Sequence, residues 1–133
     1  MNIKLDSDTI SSINVFSDVT GVMPRDCIKK DDQIIFVVSQ GQAGLSIGKN
    51  GTKMKILQKM FGKDIIVIEY SDDPLKFLAN IMRPNRLVSG YVANADSNAK
   101  VEASINGKIS APRLKLAKTL LQRYFNIINI NIR

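Results

Sequence analysis

The segment of this sequence best suited to chemistry is a pair of glycines that enclose a lysine and an asparagine, Gly48-Lys49-Asn50-Gly51. Glycine lets a foreign chain approach closely and adopts positive φ, because it has no Cβ atom. A helix that begins directly after the loop would present unpaired N–H groups and the positive end of its dipole to an anion. Lys49 and Lys53 add charge at the same place. The segment therefore predicts a phosphate-binding loop.

Other phosphate-binding motifs are excluded by their spacing. A nucleotide P-loop needs four residues between its first glycine and the Gly-Lys pair, followed by Ser or Thr. Here three residues separate Gly44 from Gly48, and Asn50 follows Lys49. The dinucleotide-binding pattern G-x-G-x-x-G does not occur. A tight turn between two helices stays open as the alternative, because G-x-x-G alone is a weak motif.

The composition argues against catalysis and against a bound metal. Histidine is absent and Cys27 is the single cysteine. Cys/His zinc sites, Ser-His-Asp catalysis and Cys-His catalysis are therefore excluded. Most acidic residues occupy turn-like or helix-start positions, and only Asp6-Ser7-Asp8 supports a rival metal-dependent carboxylate enzyme. We expect no enzymatic activity, no metal and no cofactor.

Positive charge is concentrated in the second half of the chain. The net charge is +7, with −1 from residues 1–73 (nine Lys/Arg, ten Asp/Glu) and +8 from residues 74–133 (ten and two). A basic island in the first half comprises Lys49, Lys53, Lys55, Lys59 and Lys63. Such a balance suggests nucleic acid, an anionic membrane surface or an acidic partner. A solvated lysine face is the alternative interpretation of the island.

Hydrophobic periodicity predicts the same order of elements in both halves: helix, strand, strand, a break with glycine, helix, strand. The predicted first-half elements are a helix over 7–19, strands over 23–30 and 33–39, a helix over 51–61 and a strand over 64–69. The second half has a helix from Pro74 to before Pro84, strands over 86–95 and 100–105, a turn at Asp96-Ser97-Asn98, a helix after Pro112 and a final strand. Asp6 or Asp8 caps the first helix.

Apolar spacing within the helices predicts which side chains are buried. The predicted stripes are Ile10, Ile13 and Phe16 in the first helix, Met54, Leu57 and Phe61 in the second, and Leu114, Ala117, Leu121 and Tyr124 in the long one.

This order of elements around Ile47-Gly48-Lys49-Asn50-Gly51 resembles the KH domain, whose G-x-x-G loop clamps about four nucleotides of single-stranded nucleic acid. The extra helix and strand before the core resemble the type II, prokaryotic form. The bridge Tyr70-Ser71-Asp72-Asp73-Pro74 and the ending Arg123-Tyr124-Phe125-Asn126-Ile127 resemble the archaeal relatives of the transcription factor NusA. The resemblance implies an α+β fold of two tandem type II KH domains, at 1–72 and 73–133, each a three-stranded mixed sheet with helices on one face.

The second half departs from the KH pattern. Where the family has two glycines, this chain has Gly107-Lys108-Ile109-Ser110, or a nearby register such as Asn106 to Ile109, and the second glycine is missing in either register. Asn106-Gly107 also suits a hairpin turn, and Ser110 suits a helix cap. We therefore expect an intact loop in the first domain and a degenerate one in the second, which extends the RNA path through its charge. The expected RNA contacts are Ile47, Gly48, Lys49, Asn50, Gly51, Lys53, Gly107, Lys108, Lys115 and Lys118.

Few aromatic residues are present, and they occupy apolar positions that we assign to the core. A stacking platform with exposed aromatics is therefore not expected. Bases would lie in an aliphatic groove, for which the candidates are Leu45, Ile47, Ile56, Ile35 and Val37. Most of these side chains are also suited to the core, and only Ile47 enters our predicted site.

The resemblance implies a cytoplasmic protein that binds single-stranded RNA in transcription termination or antitermination, in contact with the transcription machinery. The bacterial factor's polymerase-binding N-terminal region and S1 domain have no room in this chain. An RNA-processing or ribosome-associated KH protein and a KH-like protein-interaction module stay as alternatives. No apolar run approaches the roughly 20 residues of a membrane-spanning helix, and we expect no membrane partner. We also expect a monomer.

Overall fold

Two three-stranded mixed sheets, one in each of two compact units, organise the chain. The computed structural model describes residues 7–95 and 98–133. Asp6 and part of the predicted turn Asp96-Ser97-Asn98 lie outside these residues. The first unit ends at Tyr70 and the second begins at Ser71. The predicted boundary of two domains after residue 72 stays a prediction. No helix within the described residues is long and apolar enough to cross a membrane.

The first unit has the predicted order of elements, with one short helix, α2, added in the break that contains glycine. β2 is the central strand; it pairs antiparallel with β1 and parallel with β3. A short 3-10 turn over Lys49–Gly51 separates α2 from α3. The elements are α1 (Ser7–Thr20), β1 (Asp26–Lys29), β2 (Gln33–Val38), α2 (Ala43–Ile47), α3 (Thr52–Phe61) and β3 (Asp64–Glu69).

Stacked aromatic rings hold α1 against the sheet. The rings of Phe16 and Phe36 have centroids 4.2 Å apart, and the Phe36 and Phe61 rings are 6.1 Å apart. Leu57 of α3 is fully buried in the same core, as its stripe predicts. Ile10 is 45% exposed, so its assignment to the buried stripe of α1 is wrong.

The second unit is built from fewer elements. β5 is central, antiparallel to β4 and parallel to β6. Asp73 Oδ1 accepts a hydrogen bond of 3.0 Å from the Leu75 N–H and so caps the first helix of the unit, which begins at Pro74 as predicted. The elements are α4 (Pro74–Met82), β4 (Leu87–Ala95), β5 (Asn98–Ile105), α5 (Ala111–Phe125) and β6 (Asn129–Ile132).

The buried stripe of α5 differs in part from the predicted one. Ala117 and Leu121 are buried as expected, but Leu116 and Leu120 are buried with them. Leu114 and Tyr124, the predicted outer members of the stripe, are half-exposed. The apolar spacing of α5 fits the predicted stripe and also a neighbouring one that contains Leu116 and Leu120. The packing of the helix decides which of these side chains are buried.

The prediction of two tandem type II KH domains, each with helices on one face of its sheet, is wrong. Both faces of β2 are buried, since Ile34, Ile35 and Phe36 are each at most 1% exposed. A small sheet covered on one face would leave alternate side chains in solvent. In the described part of the second unit, nothing corresponds to α2, because β5 leads through residues 106–110 into α5. The chain is α+β with two mixed sheets that are not copies of one another.

Two cations hold one acid of the second sheet. Lys100 Nζ lies 2.8 Å from one Glu102 carboxylate oxygen, and an Arg133 guanidinium nitrogen lies 3.8 Å from the other. The hydrogen bond from Lys100 is the main cause that lowers the pKa of Glu102, and the positive charges of Lys100 and Arg133 act in the same direction.

On the neighbouring strand Tyr91 is 55% exposed, so our assignment of the aromatic residues to the core is wrong for this ring.

The pKa of Glu102 gives a testable pH dependence. A carboxyl with a lowered pKa adds stability above the ordinary pKa of glutamate, and this contribution disappears as the pH falls through the lowered value. We expect an NMR titration of the side-chain carboxyl carbons to show Glu102 titrating below the ordinary range, and Lys100→Gln to raise its pKa towards that range. An identical Glu102 titration in both proteins would contradict the assignment.

Candidate nucleic-acid interface

Three residues with positive φ shape the loop between α2 and α3. Gly48 ends α2 with φ 79° and ψ 169°, and its N–H donates to the Gly44 carbonyl at 3.1 Å. Asn50 (φ 57°) and Gly51 (φ 70°) are both left-handed. The conformation of Gly48 is open almost solely to glycine, whereas asparagine tolerates the left-handed region better than most residues do. The residue types at these positions therefore match what the turn requires.

The two glycines of the loop have different surroundings. A Cβ atom on Gly48 would stand 2.8 Å from Cγ of Lys53, whereas a Cβ on Gly51 would meet no atom within 4 Å. Gly48 is thus needed for packing inside the protein. Gly51 faces open space, where another molecule can approach the backbone.

Lys53 fastens the loop to the rest of the unit. Its Nζ donates to the carbonyl oxygen of Thr20, at the end of α1, and to that of Leu45 in α2, both at 3.0 Å. These bonds use two of the three donors of an ammonium group. The predicted contact of Lys53 with RNA stays a prediction, and it has one remaining donor.

Lys49 and Asn50 are exposed at the tip of the loop. Directly behind them α3 begins at Thr52 with Gly51 as its N-cap, and no side chain caps it. Backbone N–H groups in the first turn of a helix without a side-chain cap favour an anionic ligand. The loop therefore brings an exposed cation, an amide and a helix N-terminus together.

Apolar side chains border the loop. Leu45, Ile47 and Ile56 are 61%, 40% and 49% exposed. The other two groove candidates, Ile35 and Val37, are completely buried and line no open surface. An aliphatic contact for a base is therefore available from α2 and α3 alone.

The lysine island is divided between two environments. Lys55 and Lys59 are exposed on the outer side of α3. Lys63 is half-buried and its Nζ donates to the Lys30 carbonyl at 3.1 Å. Within the island, Lys63 therefore holds two segments of the protein together, whereas Lys55 and Lys59 form a solvated basic face.

The second predicted loop has a different construction. Gly107 has φ 84°, but Ser110 Oγ accepts the Arg113 N–H at 3.3 Å and caps α5. This is the cap that the sequence left open as an alternative. Lys108, Lys115 and Lys118, the predicted basic contacts of this unit, are all exposed.

Sequence reasoning missed a basic group beside this second loop. Arg83 and Arg86 are exposed on the segment that follows α4. The signal was present in the sequence as two arginines around Pro84-Asn85, but that segment contains no glycine pattern to draw attention to it.

Comparison with known proteins agrees with the geometry of the first loop. The family model described as "KH domain" matches residues 12–114. The chain belongs to the KH domain family. It is homologous to two archaeal proteins, each named "Probable transcription termination protein NusA". The Methanocaldococcus jannaschii protein is 31% identical over 137 residues, which cover 98% of this chain and 75% of that protein. The Methanococcus vannielii protein is 36% identical over 117 residues, which cover 88% and 65%.

A solved structure shares the fold as well. The crystal structure of APE1850 superposes with a TM-score of 0.80 and 29% sequence identity, and the match covers 97% of this chain and 100% of that one. The single KH match extends across elements of both units, which is the second reason why the prediction of two tandem KH domains is wrong.

The conformation of Gly48 predicts a specific cost of substitution. Gly48→Ala should lower the free energy of unfolding by about 1–3 kcal/mol, because the backbone conformation is almost exclusive to glycine and the new methyl group meets Lys53. Gly44→Ala is the control, since its Cβ would meet nothing within 4 Å and it lies within α2. We expect the control to be neutral or stabilising by about 0.5–1 kcal/mol in urea titrations. Equal effects of the two substitutions would contradict the assigned geometry.

The tether formed by Lys53 is tested by a substitution that keeps its apolar stem. Lys53→Met removes the donors to two carbonyls and should lower the free energy of unfolding by about 1 kcal/mol. Lys55→Met on the exposed side of the same helix should leave thermal and urea stability nearly unchanged. If both variants are as stable as the original protein, the Lys53 ammonium does not act as a tether.

Proposed function

We propose that the protein binds single-stranded RNA as a transcription termination factor. One observation carries the proposal: Lys49 and Asn50 are exposed on a left-handed turn directly before a helix without a side-chain cap. A KH loop of this type clamps about four nucleotides through their backbone. The name of the archaeal relatives supports the link to termination.

The loop geometry supports a particular division of roles. Gly51 has open space above its backbone, so a sugar-phosphate chain can come close to it. N–H groups at the start of α3 and the Lys49 ammonium then bind phosphate. Lys53 fixes the loop and contributes its remaining donor. Ile47, 40% exposed beside Gly48, gives a base an apolar surface.

The proposed function requires no chemical reaction. In the described residues no group of three or more His, Cys, Asp or Glu side chains is arranged to hold a metal ion. On the ground of the KH loop, we propose a binding protein rather than an enzyme. We also propose that it acts in the cytoplasm as a monomer in contact with the transcription machinery. The absence of an S1 domain stays a prediction, and so do the RNA contacts of Gly107, Lys108, Lys115 and Lys118.

Reversing the charge of the loop tests this proposal. The double variant Lys49→Asp/Asn50→Asp should lower affinity for single-stranded RNA on the order of a hundredfold, because two anions would face phosphates that supply most of the binding energy. Filter-binding titrations at two salt concentrations measure the effect. Lys76→Asp/Gln122→Asp makes the same change in net charge at exposed positions of α4 and α5 and should keep most of the affinity.

Circular dichroism and thermal melting must first show that both variants are folded. RNA affinity of the folded loop variant equal to that of its control would exclude the loop as the binding site.

A further inference from the structure

Two loops of the second unit are fixed to each other around Asn85. Its side-chain Nδ2 donates to the carbonyl oxygens of Asn106 at 2.8 Å and Lys108 at 3.4 Å. The backbone N–H of Asn106 donates to the Arg86 carbonyl at 2.9 Å. The segment before β4 and the segment after β5 therefore form one rigid piece.

A second set of hydrogen bonds holds this piece to the helices. The Arg113 guanidinium donates to the carbonyl of Ile81 at 2.8 Å and to that of Arg83 at 3.5 Å. Gly107 fits closely, because a Cβ on it would lie 2.9 Å from Asn85 Nδ2. The backbone of both loops is thus anchored before any ligand binds.

Three cations project from this anchored backbone, and we call them the basic cradle: Arg83, Arg86 and Lys108. All three side chains are exposed. Arg83 and Arg86 stand on either side of Pro84 and Asn85 and line a cavity of about 650 Å³. No salt bridge found within residues 7–95 and 98–133 involves any member of the cradle.

The local charge balance favours an anionic chain as ligand. Residues 74–133 contain two acids, Asp96 and Glu102. Glu102 already pairs with Lys100 and Arg133 on the second sheet, and Asp96 lies outside the described residues. Exposed arginines on a rigid backbone are well suited to phosphate, because the guanidinium fork matches its oxygens and little ordering is needed on binding.

We propose that the basic cradle binds backbone phosphates of the same single-stranded RNA that the Gly48–Gly51 loop holds. This inference rests on the proposed function and extends it. In the first loop, phosphate is bound by backbone N–H groups, and glycine lets the RNA backbone come close to them. The cradle binds phosphate through side-chain cations, so it needs no second glycine. It gives the second unit a contact that does not depend on a second glycine after Gly107.

The test measures RNA affinity against length. Arg83→Gln/Arg86→Gln is compared with Lys29→Gln/Lys76→Gln, which removes two positive charges elsewhere, using unstructured RNAs from about 4 to about 16 nucleotides. An RNA of about four nucleotides occupies the first loop alone, so all variants should bind it alike. For the long RNAs the cradle variant should bind on the order of tenfold more weakly near 0.1 M salt. Its plot of log affinity against log salt should be shallower by about 1.4, or about 0.7 for each phosphate that the variant no longer neutralises.

Each outcome decides between the two proposals. If the original protein binds RNA, and the cradle variant equals its control at every length and salt concentration, the cradle is not an RNA site, and an acidic protein becomes the better partner for it. If short RNAs bind and Lys49→Asp/Asn50→Asp does not weaken them, the proposed function fails separately. If the original protein binds no RNA of any length, both proposals fail. A length-dependent decrease in affinity confined to the cradle variant supports the inference.

Discussion

In each unit, a cation near the start of the last helix binds carbonyl oxygens at the C-terminal end of the first helix. Lys53 of α3 binds the Thr20 carbonyl at the end of α1. Arg113 of α5 binds the Ile81 carbonyl one residue before the end of α4. Carbonyl groups in the last turn of a helix have no partner within the helix and carry its negative dipole end, so a cation there is doubly favourable. In both units this interaction joins the first helix to the start of the last helix, next to the loop that precedes the last helix.

The same interaction explains why the two loops differ. Lys53 also binds Leu45 of α2 and lies against Gly48, so this lysine orients a helix, a turn and a helix together. The second unit has no short helix before its loop in the described residues, and Arg113 binds the carbonyl of Arg83 instead. The segment that contains Arg83 therefore lies beside the loop after β5, whereas in the first unit the corresponding loop is the glycine turn after α2. Two similar tethers thus support two loops of different construction.

Most element boundaries could be predicted from local patterns, because capping residues and apolar periods act over a few positions. Asp73 before Pro74 and Gly62 after Phe61 mark helix ends in the sequence and in the structure alike. The burial of Ile35 and Val37 on the other face of β2 could not be predicted, because the pattern within one strand does not say whether its second face is covered. The repeated order of elements in the two halves therefore suggested two KH domains, whereas a single KH match extends over residues 12–114.

In the candidate site, too, the sequence predicts what depends on neighbouring residues and not what depends on residues far away in the chain. The exposed pair Lys49 and Asn50 follows from the glycine pattern, since the pattern fixes a tight turn with two residues at its tip. The role of Lys53 depends on carbonyls 33 and 8 positions away in the sequence, which no local spacing reveals. Lysine spacing alone therefore overstates how many cations are free for RNA. The cations that matter most are those whose backbone is fixed and whose charge is not neutralised by a neighbouring acid. In the second unit, Lys115 and Lys118 on α5 meet these conditions as Arg83 and Arg86 do, and what distinguishes the arginines is the guanidinium fork, which matches phosphate oxygens.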